Sequence, residues 1–309
     1  MRAVLVFGIV LLAAMPFGVA SPFLVNLAML TALSAFMGQA WNIAGGFGGL
    51  TSFGHSAFFG LGAYAAGVLQ VRFGWNAWLA LPVAFAVGGA AGLAVGLAAF
   101  RAGLRGSYFA LVTLAVAEAL RVLANSLEIT GAGTGLQIAR HPGLALFQFT
   151  DARSTYALVL GLLAVATACA WQLGRSRFGA RLAAVRESED AAQALGIALV
   201  RTKSLAFALS GGLTALAGVV YAQTYLYLDP SIAFGPARSV EMLLVAMIGG
   251  AGTVWGPLLG ALALHVIADG ARMFIDTPGA APMLYGALLL VIVWRMPGGI
   301  ASLRLGRHA

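Results

Sequence analysis

The chain has 309 residues, of which 61% are hydrophobic and 9% charged, with 41 glycines, a net charge of +8 and a mean hydropathy of +0.93. Soluble globular chains hold about 45–50% apolar residues and about 7% glycine, so neither one soluble domain nor two fits this composition. The positive charge does not mark a nucleic-acid binder, because the basic residues lie in short loops between apolar runs, where membrane topology accounts for them.

Residues 1–20 are apolar after Arg2. Gly18 and Ala20 resemble the small residues of a signal-peptidase site, but a second apolar run follows almost at once, which favours a retained first span. Runs of membrane-spanning character fall at 3–20, 23–43, 50–70, 78–100, 108–126 and 155–173, and then at 204–222, 238–250, 256–270 and 282–296. They predict an all-α polytopic membrane protein, a single domain over 1–309 with about 8–10 transmembrane helices, some short or broken. If all ten runs cross, both termini and the passage 174–203 share one side. Twelve basic residues fall there, namely Arg2, Arg101, Arg105, Arg175, Arg177, Arg181, Arg186, Arg201, Lys203, Arg295, Arg304 and Arg307. Only Arg72, Arg140, Arg153 and Arg272 fall opposite, so the positive-inside rule makes 174–203 cytoplasmic. The loop 127–154 is then external and has room for a small helix or cover.

Two glycine-rich passages stand in opposite halves of the chain, Gly45–His55 and Ile248–Pro257. Interrupted helices at corresponding positions mark the solute path in many transporters, while tight helix packing is the plainer reading. Glu118 and Arg121, three residues apart inside a predicted span, can pair on one helix face, and Arg238 with Glu241 repeats the spacing in reversed order. Polar groups on apolar spans that could line a path are Asn42, Ser52, His55, Ser56, Tyr64, Glu118 and Thr253. Packing accounts for each of them equally well.

Gly174–Lys203 is the one sizeable charged passage, with nine of its thirty residues ionisable. Phe178, Leu182 and Val185, then Ala191, Ala192 and Leu195, recur at helical spacing, and Gly196 supplies a helix stop. The passage therefore reads as one or two short amphipathic helices joined near Glu187–Asp190. A helix lying on lipid would be basic across its polar face, and the acids Glu187, Glu189 and Asp190 argue against that. A docking element for a cytoplasmic partner fits better.

No chemistry of catalysis is written in the chain. Near Gly196 and Lys203-Ser204, Thr202 stands where a phosphate-binding loop needs its second glycine. The four histidines are scattered without metal-ligand spacing, and the lone Cys169 excludes internal disulfides and cysteine-based metal sites. His55 beside Ser52 and Ser56 reads as a packing cluster rather than a nucleophile and base. No enzyme is indicated.

Asp190-Ala191-Ala192-Gln193-Ala194-Leu195-Gly196 resembles the coupling motif of ABC importer permeases, with Asp in place of the usual Glu. Around it, residues 174–222 resemble the corresponding region of branched-chain amino acid ABC permeases of the LivM-type branch. WNIAGGFGGLTSFGHSAFFGLGAYAAG, LRGSYFALVTLAVAEALRVLAN with TGAGTGL, and SVEMLLVAMIGGAGTVWGPLLGA are similar to further blocks of that family, in family order from Trp41 to Ala261. The resemblance implies a permease in a bacterial inner membrane, paired with a second permease subunit and two cytoplasmic ATPase subunits. A periplasmic or lipid-anchored solute-binding protein would deliver the solute. No cofactor belongs to this chain on that reading, since ATP and Mg sit on the partners. The implied coupling residues are Arg186, Glu187, Asp190, Ala191, Ala192 and Gly196. The implied solute is a branched-chain or related hydrophobic amino acid, with urea and short amides as the family's alternatives. An ion-coupled carrier acting alone and a membrane scaffold are the rivals outside the family.

Overall fold

The apolar runs fold into helices, and polar residues between them act as caps. The structure, a computed structural model, describes residues 21–141, 143, 147–149, 151–272, 283, 286–287 and 298–304. The run predicted at 3–20, all but three residues of the run at 282–296, and Arg2, Arg295 and Arg307 lie outside these residues.

Helix α1 (Pro22–Asn42) starts with proline in its first turn and ends in a π-helical turn over Ile43–Phe47. Then come α2 (His55–Phe73), α3 (Ala77–Arg101), α4 (Gly106–Ser126) and α5 (Ala152–Arg175). Asn76 caps α3 by accepting from Trp78 N, and Asp151 caps α5 by accepting from Arg153 N. Two short helices, α6 (Arg177–Glu187) and α7 (Glu189–Ala194), lead into α8 (Leu199–Tyr225), the longest at 27 residues. The described helices end with α9 (Pro230–Ala233), α10 (Pro236–Gly249) and α11 (Gly256–Arg272). Six segments, 23–47, 77–101, 106–126, 152–175, 199–225 and 230–249, are long and apolar enough to cross a membrane. The chain is an all-α polytopic membrane protein, as its composition requires.

The run predicted from residue 50 becomes helical only at His55. Leu50–Gly54 runs non-helically inside the protein, which is tolerable in a membrane only when its polar groups find partners there. They do: Leu50 N donates to Ala44 O at 3.0 Å, Phe53 N to Thr113 Oγ1 at 3.2 Å, and Ser52 O accepts from Trp41 Nε1 at 3.0 Å. Among the described helices, α10 with 14 residues and α11 with 17 are as short as their runs suggest.

Small residues set the packing. α8 lies between α2 and α3, its most extensive neighbours. On α3, Gly88, Gly92 and Gly96 recur every four residues and form one stripe facing α8. A Cβ on Gly88 would stand 2.7 Å from Gly211 O, and one on Gly92 2.7 Å from Phe207 O. Gly62 of α2 and Gly218 of α8 similarly meet the backbones of Ala215 and Phe59. α1 closes the other side, packed on α5, α10 and α11. α4 is peripheral, and Tyr108, Leu111, Val122 and Leu123 stay exposed along it.

The elements sort to two ends. One end collects the turn after α1, the α3–α4 corner, α6, α7 and the loop before α11. The opposite end is covered by the α4–α5 connection, where β1 (Leu136–Gln137) pairs antiparallel with β2 (Tyr227–Leu228). Arg72 donates to Glu128 O there at 2.9 Å, and Trp78 packs edge-on against Phe147. Among its described residues the connection thus forms two single-turn helices and one strand of that pair.

Candidate functional site

Gly174–Lys203 folds as two short helices joined at Ser188. α6 buries Leu182 and Val185 and half-buries Phe178, the stripe expected from spacing, and leaves Arg177 and Arg181 in the open. Ser176 caps α6 by accepting from Gly179 N at 2.9 Å. Ser188 breaks the helix with extended backbone and caps α7 by accepting from Ala191 N at 3.3 Å. Glu189 and Asp190 occupy the first turn of α7, where the helix dipole favours acids. α7 buries only Ala192 and turns Asp190, Ala191, Ala194 and Leu195 outward. Leu195 is 80% exposed, an apolar tip at the end of α7. Gly196 closes the helix at φ +78°, with Gly196 N donating to Gln193 O and Ile197 N to Ala192 O.

Ion pairs fix this segment to the bundle. Glu189 bonds Arg105, at the start of α4, at 2.9 Å, and also the buried ammonium of Lys203 in the first turns of α8. Lys203 Nζ sits 5.1 Å above the Phe100 ring at the end of α3. Asp190 makes a looser contact with Arg105 at 3.5 Å. One carboxylate therefore ties α7 to α4 and α8.

Arg186 reaches the other way. Its Nη1 donates to Gly46 O at 3.1 Å, and its Nη2 pairs with Glu187 at 3.0 Å. Beside it lies Gly252, whose φ of +79° favours glycine and whose Cβ would stand 2.8 Å from that same guanidinium. Asn42 joins the two glycine-rich passages, its Oδ1 accepting from Gly252 N at 2.7 Å and its Nδ2 donating to Thr253 O at 2.9 Å. The passages thus meet each other, and they meet at the end that carries α6 and α7.

The seven polar residues picked for a path do not converge on one cavity. Asn42 and Thr253 belong to the junction just described, and Thr253 Oγ1 accepts from Gly256 N at the start of α11. Ser52 and His55 form a buried chain, His55 Nδ1 with Ser52 Oγ at 3.0 Å and Nε2 with Ser210 Oγ at 2.8 Å. Ser210 has one hydroxyl proton and gives it to Ala40 O at 2.7 Å, so Nε2 must be the donor to Ser210. Ser56 accepts from Ser239 Oγ at 3.0 Å, which stitches α2 to α10. Tyr64, near the opposite end, donates to Leu228 O at 3.3 Å and stacks on Phe234. Glu118 is bonded by Arg121 at 2.9 and 2.6 Å, and alone of the seven it is exposed.

Arg238 and Glu241 pair at 3.1 Å as their spacing predicts, but within a larger network. Ser34 donates to Glu241 at 2.5 Å and also bonds His265 Nε2 at 3.0 Å, while Arg238 lies over the rings of Phe59 and Tyr221. Sequence reasoning overlooked Ser34 and His265 here, and around α6 and α7 it overlooked Ser188, Arg105, Lys203 and the exposure of Leu195. Only Ser188 carried a readable signal, a serine just before two acids at the start of a helix.

Against known proteins, the family model described as branched-chain amino acid transport system / permease component matches residues 23–293. The high-affinity branched-chain amino acid transport system permease protein LivM of Salmonella typhimurium is 30% identical over 93% of this chain and 73% of its own length. LivM of Escherichia coli is 31% identical over the same shares. The autoinducer 2 import system permease protein LsrC of Klebsiella pneumoniae is 33% identical over 48% of this chain and 43% of its own. No solved structure matches. With apolar helices that cross a membrane and a family match over most of its length, the chain belongs to the permease components of branched-chain amino acid transport systems.

Proposed function

We propose that the chain is a permease subunit of an ATP-driven importer in a bacterial inner membrane, moving branched-chain or related hydrophobic amino acids. The observation that carries this reading is the outward tip of α7. Asp190, Ala191, Leu195 and Gly196 face away from the bundle on a helix that Glu189, Arg105 and Lys203 hold in place. An exposed leucine on a salt-bridged support suits a docking element, and ATP and Mg would then sit on the partner it docks. The LivM relatives, named for branched-chain amino acid transport, support the solute class.

In this reading two ATPase subunits receive α7, and their closure pushes on α6. Arg186 then passes the displacement to Gly46 and, through Asn42, to the loop before α11. Hinged glycine passages at that junction let the path open alternately to either side. A second permease subunit covers α4, because a carboxylate and a guanidinium halfway along an exposed apolar span are costly against hydrocarbon. Glu118 would there meet the zwitterionic solute. A soluble or lipid-anchored binding protein docks at the opposite end, on the cover formed by the α4–α5 connection.

The test is the reconstituted complex. Leu195→Asp buries a charge in the docking groove and is expected to lower solute-stimulated ATP hydrolysis about tenfold or more, with the permease's unfolding temperature unchanged. Wild-type hydrolysis and leucine uptake in an assembled Leu195→Asp complex would remove the reading. Competition of leucine uptake by urea or short amides would redirect the solute assignment.

A further inference from the structure

A groove of about 740 Å³ opens between the end of α3 and the start of α8, beside α7 but on the membrane side of it. Four basic residues line it, Arg101, Arg105, Arg201 and Lys203, against one acid, Glu189. Glu189 is spent on Arg105 and Lys203. Arg101 and Arg201 are exposed and make no ion pair with any described residue. Ser204 stands at the edge of the groove, its hydroxyl fully buried against Gly96 in the α3–α8 seam. Two uncommitted guanidiniums on the rim of one groove make a receptor for a phosphate group.

The walls say which phosphate. Arg101 ends one apolar span and Arg201 stands near the start of another, so the basic rim lies at the membrane boundary. Leu97 and Leu93 line the same groove one and two turns further along α3, about 6 and 12 Å inward from Arg101 at 1.5 Å per residue. Leu205 continues the apolar wall on α8 and is 43% exposed. An inorganic phosphate would leave this wall bare, whereas an acyl chain would cover it. We propose that the groove is a binding site for an anionic phospholipid, its headgroup phosphate held by Arg101 and Arg201 and one acyl chain lying along Leu97, Leu93 and Leu205. The site is separate from the tip of α7 and holds whether or not that tip docks an ATPase.

The purified, delipidated full chain is incubated with phosphatidylglycerol or phosphatidylcholine and retained lipid is counted by native mass spectrometry. Phosphatidylglycerol should be retained about tenfold more than phosphatidylcholine. The double variant Arg101→Gln/Arg201→Gln should lose about that factor. Arg177→Gln/Arg181→Gln, which removes the same charge from exposed positions on α6, should retain lipid like the wild type. Equal retention of both lipids, or equal losses in the two double variants, would overturn the site. Displacement of the lipid by millimolar inorganic phosphate would overturn the lipid assignment in favour of the free anion.

Discussion

A Cβ on Gly196 would meet nothing within 4 Å, so room is not what glycine supplies at the end of α7. Its φ of +78° is, at about 1–2 kcal/mol for most L residues and least for asparagine. The sequence identified the position as a helix stop, but bulk is not the discriminating property. Gly196→Ala should lower the ratio of solute moved to ATP hydrolysed several-fold, while Gly196→Asn should keep it; equal effects of the two would show that backbone conformation is not the cause. His55 is legible in sequence only as a polar residue among small ones. Its partner Ser210, 155 positions away, makes it a tie between α2, α8 and the end of α1. His55→Ala should cost about 3 kcal/mol from the cavity and the unpaired buried hydroxyls, read by thermal unfolding in detergent. An unfolding temperature equal to the wild type would remove this packing role.

At the scale of helices, hydropathy and caps were enough to find the spans, because a bilayer demands long apolar runs whatever they pack against. Which helices touch was less legible, since glycine spacing shows a smooth face but not its partner. The stripe Gly88, Gly92 and Gly96 faces α8, whereas a Cβ on neighbouring Gly89 would have as its nearest contact Ala208 O at 3.5 Å, an ordinary distance. Gly92→Leu should therefore prevent recovery of folded protein, and Gly89→Ala should leave the unfolding temperature within about 2 °C of wild type. If both variants fold alike, the α3–α8 seam is not close-packed. The docking segment offers a second test. Glu189→Gln strands the buried Lys203 ammonium and should cost about 3 kcal/mol. Adding Lys203→Met should restore most of that loss, and a double variant no better than Glu189→Gln would show that the pair is not what holds α7.

Over the whole molecule, charge carries the clearest message. Arg101, Arg105 and the basic residues from Arg175 to Lys203 gather at one end, and Arg72, Arg140 and Arg153 belong to the other, the segregation that the loop count anticipated. The glycine-rich passages admit two readings from the sequence, a solute path or tight helix packing. In the structure they meet at the junction between α1, the loop before α11 and Arg186, where Gly46 O accepts from that arginine and Gly252 N donates to Asn42. Such a junction is built from tertiary contacts more than 100 residues apart in sequence, and no local pattern encodes it. The exposed α4 face is the mirror case: its apolar residues are plain in the sequence, and among the described residues nothing covers Tyr108, Leu111, Val122 and Leu123.

Site-specific photocrosslinking tests the central claim, that the tip of α7 receives an ATPase. A benzophenone residue replaces Leu195 in the complex reconstituted with its ATPases, and another replaces Tyr227, which is exposed at the opposite end. The account predicts that position 195 captures the ATPase subunit and position 227 does not. Failure of capture at 195, or equal capture at 227, would contradict it.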